Sequence, residues 1–241
     1  MSGGVDSSAA ALLLQQQGYA CDGAMLKLYS GEVEGTCCSA DDADDARSVA
    51  YRLGMKFYVF NETERFARDV MDHFVAEYCA GHTPNPCIDC NRHLKFGALL
   101  ERAEALGADA VATGHYARLQ EGPSGPLLAA ADDLAKDQSY FLSLVPLERL
   151  RRAVFPLARQ DKAASIAQVR EAGLDVPVPQ ESQEICFIPA GEDAYRAFLE
   201  RRWQAEGLSL PGGGPVLLEE AGSDGRPALR PLARHEGLWR Y

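Results

Sequence analysis

No apolar run in this chain approaches the roughly 20 residues that a bilayer-spanning helix requires, which points to a soluble protein without membrane contact. The N-terminus also lacks the basic segment, apolar stretch and small-residue cleavage site of a secretory signal. Positive charge is scarce: 24 Lys and Arg stand against 35 Asp and Glu, a formal net charge of -11. That balance excludes a generic nucleic-acid coat, although a local basic face on an acidic protein can still grip phosphate. Part of the acidity sits in the run Asp41 to Asp45, which reads as the solvated start of a helix. Internal repeats and low-complexity tracts are missing. Seven cysteines, an odd number without a secretory context, argue against a disulfide framework and for reduced thiols in the cytoplasm.

The 241 residues, 46% of them hydrophobic, suffice for one large domain with a smaller appendage. Cys21 to Tyr29 and Met55 to Phe60 read as buried strands, and Asp109 to Thr113 as a short one. Helical patterns at Ala9 to Gln17, Asp41 to Leu53, Phe66 to Tyr78 and Asn91 to Leu106 alternate with them. That alternation predicts βαβ units and a parallel sheet. Beyond residue 145 the pattern turns to short helices, Leu147 to Ala153, Lys162 to Ala172 and Tyr195 to Glu206, then a flexible joint in Leu210 to Pro215. The expected division is therefore 1–145, 146–209 and 210–241.

The segment Ser2-Gly3-Gly4-Val5-Asp6-Ser7-Ser8 has what a polyphosphate site needs. Two glycines let successive N–H groups turn inward as an anion nest, the serine hydroxyls add donors, and the following helix aims its positive end at the same spot. Asp6 is out of place beside an anion unless a magnesium ion stands between them. The lysine of a Walker loop is missing. The plain alternative is a Gly/Ser turn with Asp6 or Ser7 as the helix cap.

In Thr83-Pro84-Asn85-Pro86-Cys87-Ile88-Asp89-Cys90-Asn91, two prolines stiffen the approach to a C-x-x-C at a helix start. There the helix dipole lowers a thiol pKa and favours the reactive thiolate. A zinc half-site is the alternative, but its second pair is wanting, since Cys37 and Cys38 are adjacent. Cys186, in Glu184-Ile185-Cys186-Phe187-Ile188, reads on its own as a core cysteine. Cys21 and Cys79 read as packing residues. Lys136-Asp137-Gln138 reads as a charged turn and His115 as a loop histidine.

The loop SGGVDSS matches the pyrophosphatase loop of the N-type ATP pyrophosphatases, which cleave ATP between the α and β phosphates. With TPNPCIDCN, Ala112-Thr113-Gly114-His115-Tyr116, KDQSYFL at 136–142 and EICFI at 184–188, all in one order, the chain closely resembles the tRNA-specific 2-thiouridylases. The resemblance runs from residue 2 to residue 241. It implies an α/β, doubly wound parallel sheet of the adenine nucleotide α-hydrolase type, lacking its first strand, then a smaller, mostly helical tRNA-binding region. Both ends are expected to be cut, with the start misassigned and a C-terminal β-barrel missing.

The resemblance further implies that Ser2, Gly3, Gly4, Val5, Asp6, Ser7 and Ser8 bind ATP with Mg2+, with Leu26 near the adenine and Gly114 in the nucleotide site. Asn85, Pro86 and Cys87 would contact the target base; His115, Lys136, Asp137 and Gln138 would contact tRNA. Cys90 would be the nucleophile and Cys186 the persulfide carrier, loaded by a sulfur-carrier or sulfurtransferase protein, in a cytoplasmic monomer. Some family members have an aspartate where Cys87 stands. Three cysteines (Cys87, Cys90, Cys186) leave an iron–sulfur cluster as a less favoured alternative. The rival functions are another ATP pyrophosphatase acting on a small metabolite, and a non-catalytic tRNA- or nucleotide-binding fragment.

Overall fold

The computed structural model describes residues 1–29, 40–123, 125–174, 176–177, 185–189, 191, 193–205, 207, 211–221 and 226–240, the side chains of 40 and 41 excepted. Cys37, Cys38, Glu184 and Leu210 lie outside the described residues. In chain order the elements are α1 (Val5–Gln16), β1 (Gly23–Lys27), α2 (Ala40–Arg52), β2 (Phe57–Asn61), α3 (Thr63–Phe66), α4 (His73–Cys79), α5 (Pro86–Asp89) and α6 (Leu99–Ala105). They continue with β3 (Val111–Ala112), β4 (Arg118–Gly122), β5 (Gly125–Ala129), α7 (Leu147–Leu150), β6 (Ala153–Val154), α8 (Lys162–Glu171), α9 (Ala194–Ala205), β7 (Gly214–Ala221) and β8 (Pro227–His235). Two π-helical stretches, Ala67–Asp72 and Cys90–Ala98, join α3 to α4 and α5 to α6.

The chain divides into two compact units: Met1–Met71 with Asn85–Pro189, and Asp72–Pro84 with Ala190–Tyr241. This division differs from the boundary read near residue 145. Val145 packs with Phe96, Leu142, Leu150 and Phe155 inside the first unit's core. The change of pattern at that point marks shorter helices, not the edge of a hydrophobic core.

The first unit is α/β. Strands β1 and β2 run parallel in the register Gly23↔Phe57 to Lys27↔Asn61, with α2 as the crossover between them. Strands β3 and β6 pair parallel through Val111↔Ala153 and Ala112↔Val154. The described residues thus form two separate parallel pairs, where one doubly wound sheet was expected. The antiparallel hairpin β4–β5 was not expected, because RLQEG and GPLLA carry no β-branched residue and their glycines read as loop.

Helix α1 begins at Val5, four residues before the apolar pattern suggested. Ser7 and Ser8 fold into its first turn by donating their hydroxyls to the Gly4 carbonyl, each at 3.0 Å. It ends at Gly18, whose φ of 87° is the left-handed stop that a glycine adopts without steric cost. The face of α1 carrying Val5, Ala9 and Ala10 packs with Val49 of α2, Val169 of α8, Tyr116 and Leu157.

In the second unit α4 and α9 build an aromatic core. Phe74 meets Phe198 edge-on at 6.2 Å, and Trp203 meets Trp239 at 5.5 Å. The hairpin β7–β8 is antiparallel and largely solvent-facing.

Candidate active site

The loop before α1 has the open backbone that the sequence led us to expect of an anion site. Gly3 has φ +78°, and a β-carbon there would meet the Asp42 carbonyl oxygen at 2.8 Å, so α2 closes on a position open to glycine alone. Gly4 is the N-cap of α1 in an extended conformation and supplies no side-chain cap. The first-turn N–H groups of a helix have no intrahelical partner, so here they are left for an external acceptor. Ser2 donates its N–H to Ser7 Oγ at 3.1 Å, which ties the loop back onto the helix.

Two further segments close around this loop. A β-carbon on Gly114 would lie 2.7 Å from the Asp6 carbonyl carbon and 2.9 Å from the Ser7 nitrogen, so Gly114 sits directly against the helix start. The Tyr116 phenol donates to Asp6 Oδ1 at 3.0 Å and lies 3.0 Å from Ser165 Oγ. Burial, together with the charge of Asp6, pushes this phenol far above its ordinary pKa and keeps it a donor. Lys162 Nζ lies 2.7 and 2.8 Å from the two Asp6 oxygens. The loop therefore does meet a lysine, from the first position of α8, more than 150 residues downstream. Neither Lys162 nor Tyr116 was singled out in the sequence. The only signal for Lys162 was its place just after Asp161, which caps α8 by accepting from the Ala164 N–H.

Leu26 is buried in β1, opposite Phe60 in the register. The Met1 amino group reaches the neighbouring Ala24 carbonyl, which holds the start of the loop beside that strand.

The cysteine segment forms a second assembly in the same unit. Asn85 caps α5, its side chain accepting from the Cys87 N–H at 3.1 Å, and Pro86 occupies the first helical position. Helix thus starts five residues earlier than the apolar pattern indicated. Cys87 is exposed and Cys90 buried, at the junction where the π-helical stretch begins. Such widened turns recur at functional sites. Asn91, 2% exposed, donates to the Phe141 carbonyl at 2.9 Å and fastens this helix to Ser139–Leu142. Cys186 is partly buried in a turn whose next residue, Phe187, packs edge-on against Phe66 at 5.6 Å. Among the described residues no group of three or more His, Cys, Asp and Glu side chains is placed to hold a metal ion. A cluster on Cys87, Cys90 and Cys186 is therefore not assembled in this arrangement.

The segments expected to touch tRNA are placed differently from one another. The His115 ring is buried between Phe96 and Phe155, 6.2 Å from each, with Nδ1 2.8 Å from Thr113 Oγ1. Desolvation, reinforced by the Lys95 charge, holds its pKa well below the usual imidazole value. Here it is a core residue, because two aromatic neighbours and a hydroxyl offer it more than the surface does. Asp137 accepts from the Ala131 N–H at 2.9 Å and the Ser139 hydroxyl at 2.6 Å, shaping the turn. Gln138 exchanges two hydrogen bonds with the Tyr116 backbone, at 2.7 and 3.2 Å. The 136–142 segment thereby touches both Tyr116, which bonds Asp6 of the 2–8 loop, and Asn91 of the cysteine helix.

Comparison with known proteins places the chain among named relatives. A tRNA-specific 2-thiouridylase of Acidithiobacillus ferrooxidans is 49% identical over 200 residues, 83% of this chain and 55% of the relative. Another from Magnetococcus marinus is 44% identical over 247 residues, all of this chain and 65% of the relative. One from Kocuria rhizophila is 46% identical over 250 residues, again all of this chain and 61% of the relative. The chain thus spans between 55% and 65% of the length of these curated relatives. The family described as the tRNA methyl transferase HUP domain, an α/β nucleotide-binding fold, matches residues 1–190, and the chain belongs to that family.

Proposed function

We propose that this protein carries out ATP-dependent 2-thiolation of the wobble uridine of tRNA. The observation that carries the reading is the uncapped, glycine-opened start of α1, closed by Gly114, in one unit with the capped C-x-x-C helix. Three relatives named as tRNA-specific 2-thiouridylases support it. The family description speaks of methyl transfer, but a methyl transferase needs neither an ATP loop nor a paired cysteine segment.

The chemistry follows from the residue types. The 2-oxygen of uracil leaves poorly, so it first attacks the α-phosphorus of ATP; pyrophosphate departs and the base is adenylated. The N–H groups at the start of α1 offset the charge on the departing pyrophosphate. A magnesium ion held through Asp6 would neutralise phosphate charge in the same place. Sulfur then arrives as a persulfide on Cys186: its terminal sulfur attacks C2 and AMP leaves. The Cys90 thiolate next attacks the Cys186 sulfur, the S–S bond breaks, the thiolated base is released and a Cys90–Cys186 disulfide remains. A thiol reductant resets the pair. In the alternative route Cys90 frees sulfide from the persulfide first. Target uridine must leave the anticodon stack to reach Asn85, Pro86 and Cys87.

We further infer a cytoplasmic, monomeric enzyme loaded with sulfur by a carrier protein. The parallel pairs β1–β2 and β3–β6 we take as parts of one doubly wound sheet.

The test supplies the protein with ATP, magnesium, a sulfide donor and unmodified tRNA, and reads retarded migration of the tRNA in a mercury-containing gel. Retardation with the natural protein, lost in Cys90→Ser and in Cys186→Ser, supports the reading. No retardation, with ATP still split to AMP when a small metabolite is present, moves the assignment to a metabolite ligase.

A further inference from the structure

Asn91 directly follows the second cysteine of the C-x-x-C, and only one end of its amide is engaged. Nδ2 donates to the Phe141 carbonyl at 2.9 Å, which fixes the amide in place. Oδ1, the other end, is closed to solvent and meets no hydrogen-bond donor among the described residues. The residue as a whole is 2% exposed. Buried acceptors are almost always paired, and one left over costs stability, so an idle acceptor beside Cys90 points to a ligand with a donor. We propose that Asn91 reads the target base: Oδ1 accepts a hydrogen bond from the N3–H of uracil and so sets uridine apart from cytidine. This rests on the reading of the chain as a wobble-uridine thiolase.

Three observations favour this ligand. First, Cys87, Cys90 and Asn91 stand at i, i+3 and i+4 of one helical run and so share a face. Along that face Cys87 is exposed, Cys90 buried and Asn91 buried more deeply, which leads from solvent to the amide. Second, the segment's other asparagine, Asn85, already uses its oxygen to cap the Cys87 N–H. Asn91 is the one with an oxygen to offer a base. Third, N3–H is the single donor on the pairing edge of uracil, and N3 is bonded to C2, the carbon that takes sulfur. An acceptor next to the reactive thiol thus meets the donor next to the reacting carbon. Cytosine presents a lone pair at N3, which would face the lone pairs of Oδ1.

The experiment uses unmodified tRNA transcripts that differ only at the wobble position: uridine, cytidine or N3-methyluridine. Equilibrium binding of each to the natural protein, Asn91→Ala and Asn91→Asp is measured at one salt concentration, so that phosphate contacts contribute equally. The natural protein is expected to favour uridine at least about tenfold over both other bases, and Asn91→Ala to favour it over cytidine less than about twofold. Asn91→Asp keeps an oxygen in the place of Oδ1 and is expected to retain the preference. Each readout is a ratio within one protein, so a loss of stability alone does not move it. The N3-methyl transcript deletes the donor without altering the protein, and its binding as tightly as uridine overturns the proposal. An undiminished uridine preference in Asn91→Ala also overturns it. Loss of the preference in Asn91→Ala and Asn91→Asp alike does the same, by making Asn91 a tie to Phe141 and nothing more. A natural protein that thiolates the uridine transcript yet binds all three equally sinks the proposal and leaves the thiolase reading standing. If it neither binds nor thiolates tRNA, that reading fails and the proposal with it.

Discussion

A β-carbon placed on Gly114 would stand 2.7 Å from the carbonyl carbon of Asp6, a separation that side chains essentially never show. The obstacle is backbone, not the end of a flexible side chain, so it cannot rotate away. Gly114→Ala must therefore push the strand–loop off the start of α1 or distort the loop itself. We expect a stability loss of about 1–3 kcal/mol, as overpacking costs. ATP affinity should fall at least about tenfold, because the anion nest depends on this closure. Calorimetry with ATP checks it, and unaltered affinity would place the nucleotide elsewhere.

Tyr116→Phe removes one oxygen and little volume. It leaves Asp6 without its phenol donor and Ser165 without a neighbour at 3.0 Å. A net loss of about 1–2 kcal/mol is expected in urea unfolding, the usual cost of a buried hydrogen bond to a charged group. Lys162 still holds Asp6 in that variant, so ATP affinity should drop only a few-fold, less than in Gly114→Ala.

Much of this site could be read from residue order. The loop and the C-x-x-C segment announce themselves because glycine, proline and Asn caps act locally, through φ and the nearest N–H groups. Helices α2, α8 and α9 were likewise visible in their periodicity to within a residue or two. What escaped depends on distant contacts. Lys162 meets the loop only because α8 packs on α1, and DKAAS signals no more than a helix cap. His115 read as a loop histidine, and Phe96 and Phe155 enclose it from separate segments. The π-helical widening after Cys90 has no marker in NRHLKFGA, and the β4–β5 hairpin is set by pairing, not by propensity.

Asn91 offers a way to separate the two halves of the reaction. Its side chain is the bond between the cysteine helix and the Ser139–Leu142 turn. In Asn91→Ala the Phe141 carbonyl loses that partner, and a destabilisation of about 1–3 kcal/mol is expected. The nucleotide loop is not touched, so ATP affinity should stay within about twofold. Thiolation turnover should fall well beyond that, because Cys90 adjoins the lost bond. A parallel loss of ATP binding would show that the two assemblies do not separate.

His115 gives the fold a pH dependence whose direction is fixed by its burial. Its folded pKa is depressed, whereas in the unfolded chain an imidazole titrates near about 6.5. Below that value the unfolded chain takes up a proton that the folded core refuses, so stability is lost as pH falls. The loss approaches about 1.4 kcal/mol per pH unit until the folded pKa is reached. Carboxylates elsewhere also respond to acid, so the diagnostic quantity is the difference between the natural protein and His115→Asn. Stabilities from urea unfolding at pH 7, 6 and 5 should show that difference shifting in favour of the variant at each acid step. A constant difference across the range would mean that the imidazole takes up its proton as readily in the fold as in the unfolded chain, so that the pocket between Phe96 and Phe155 opens to water.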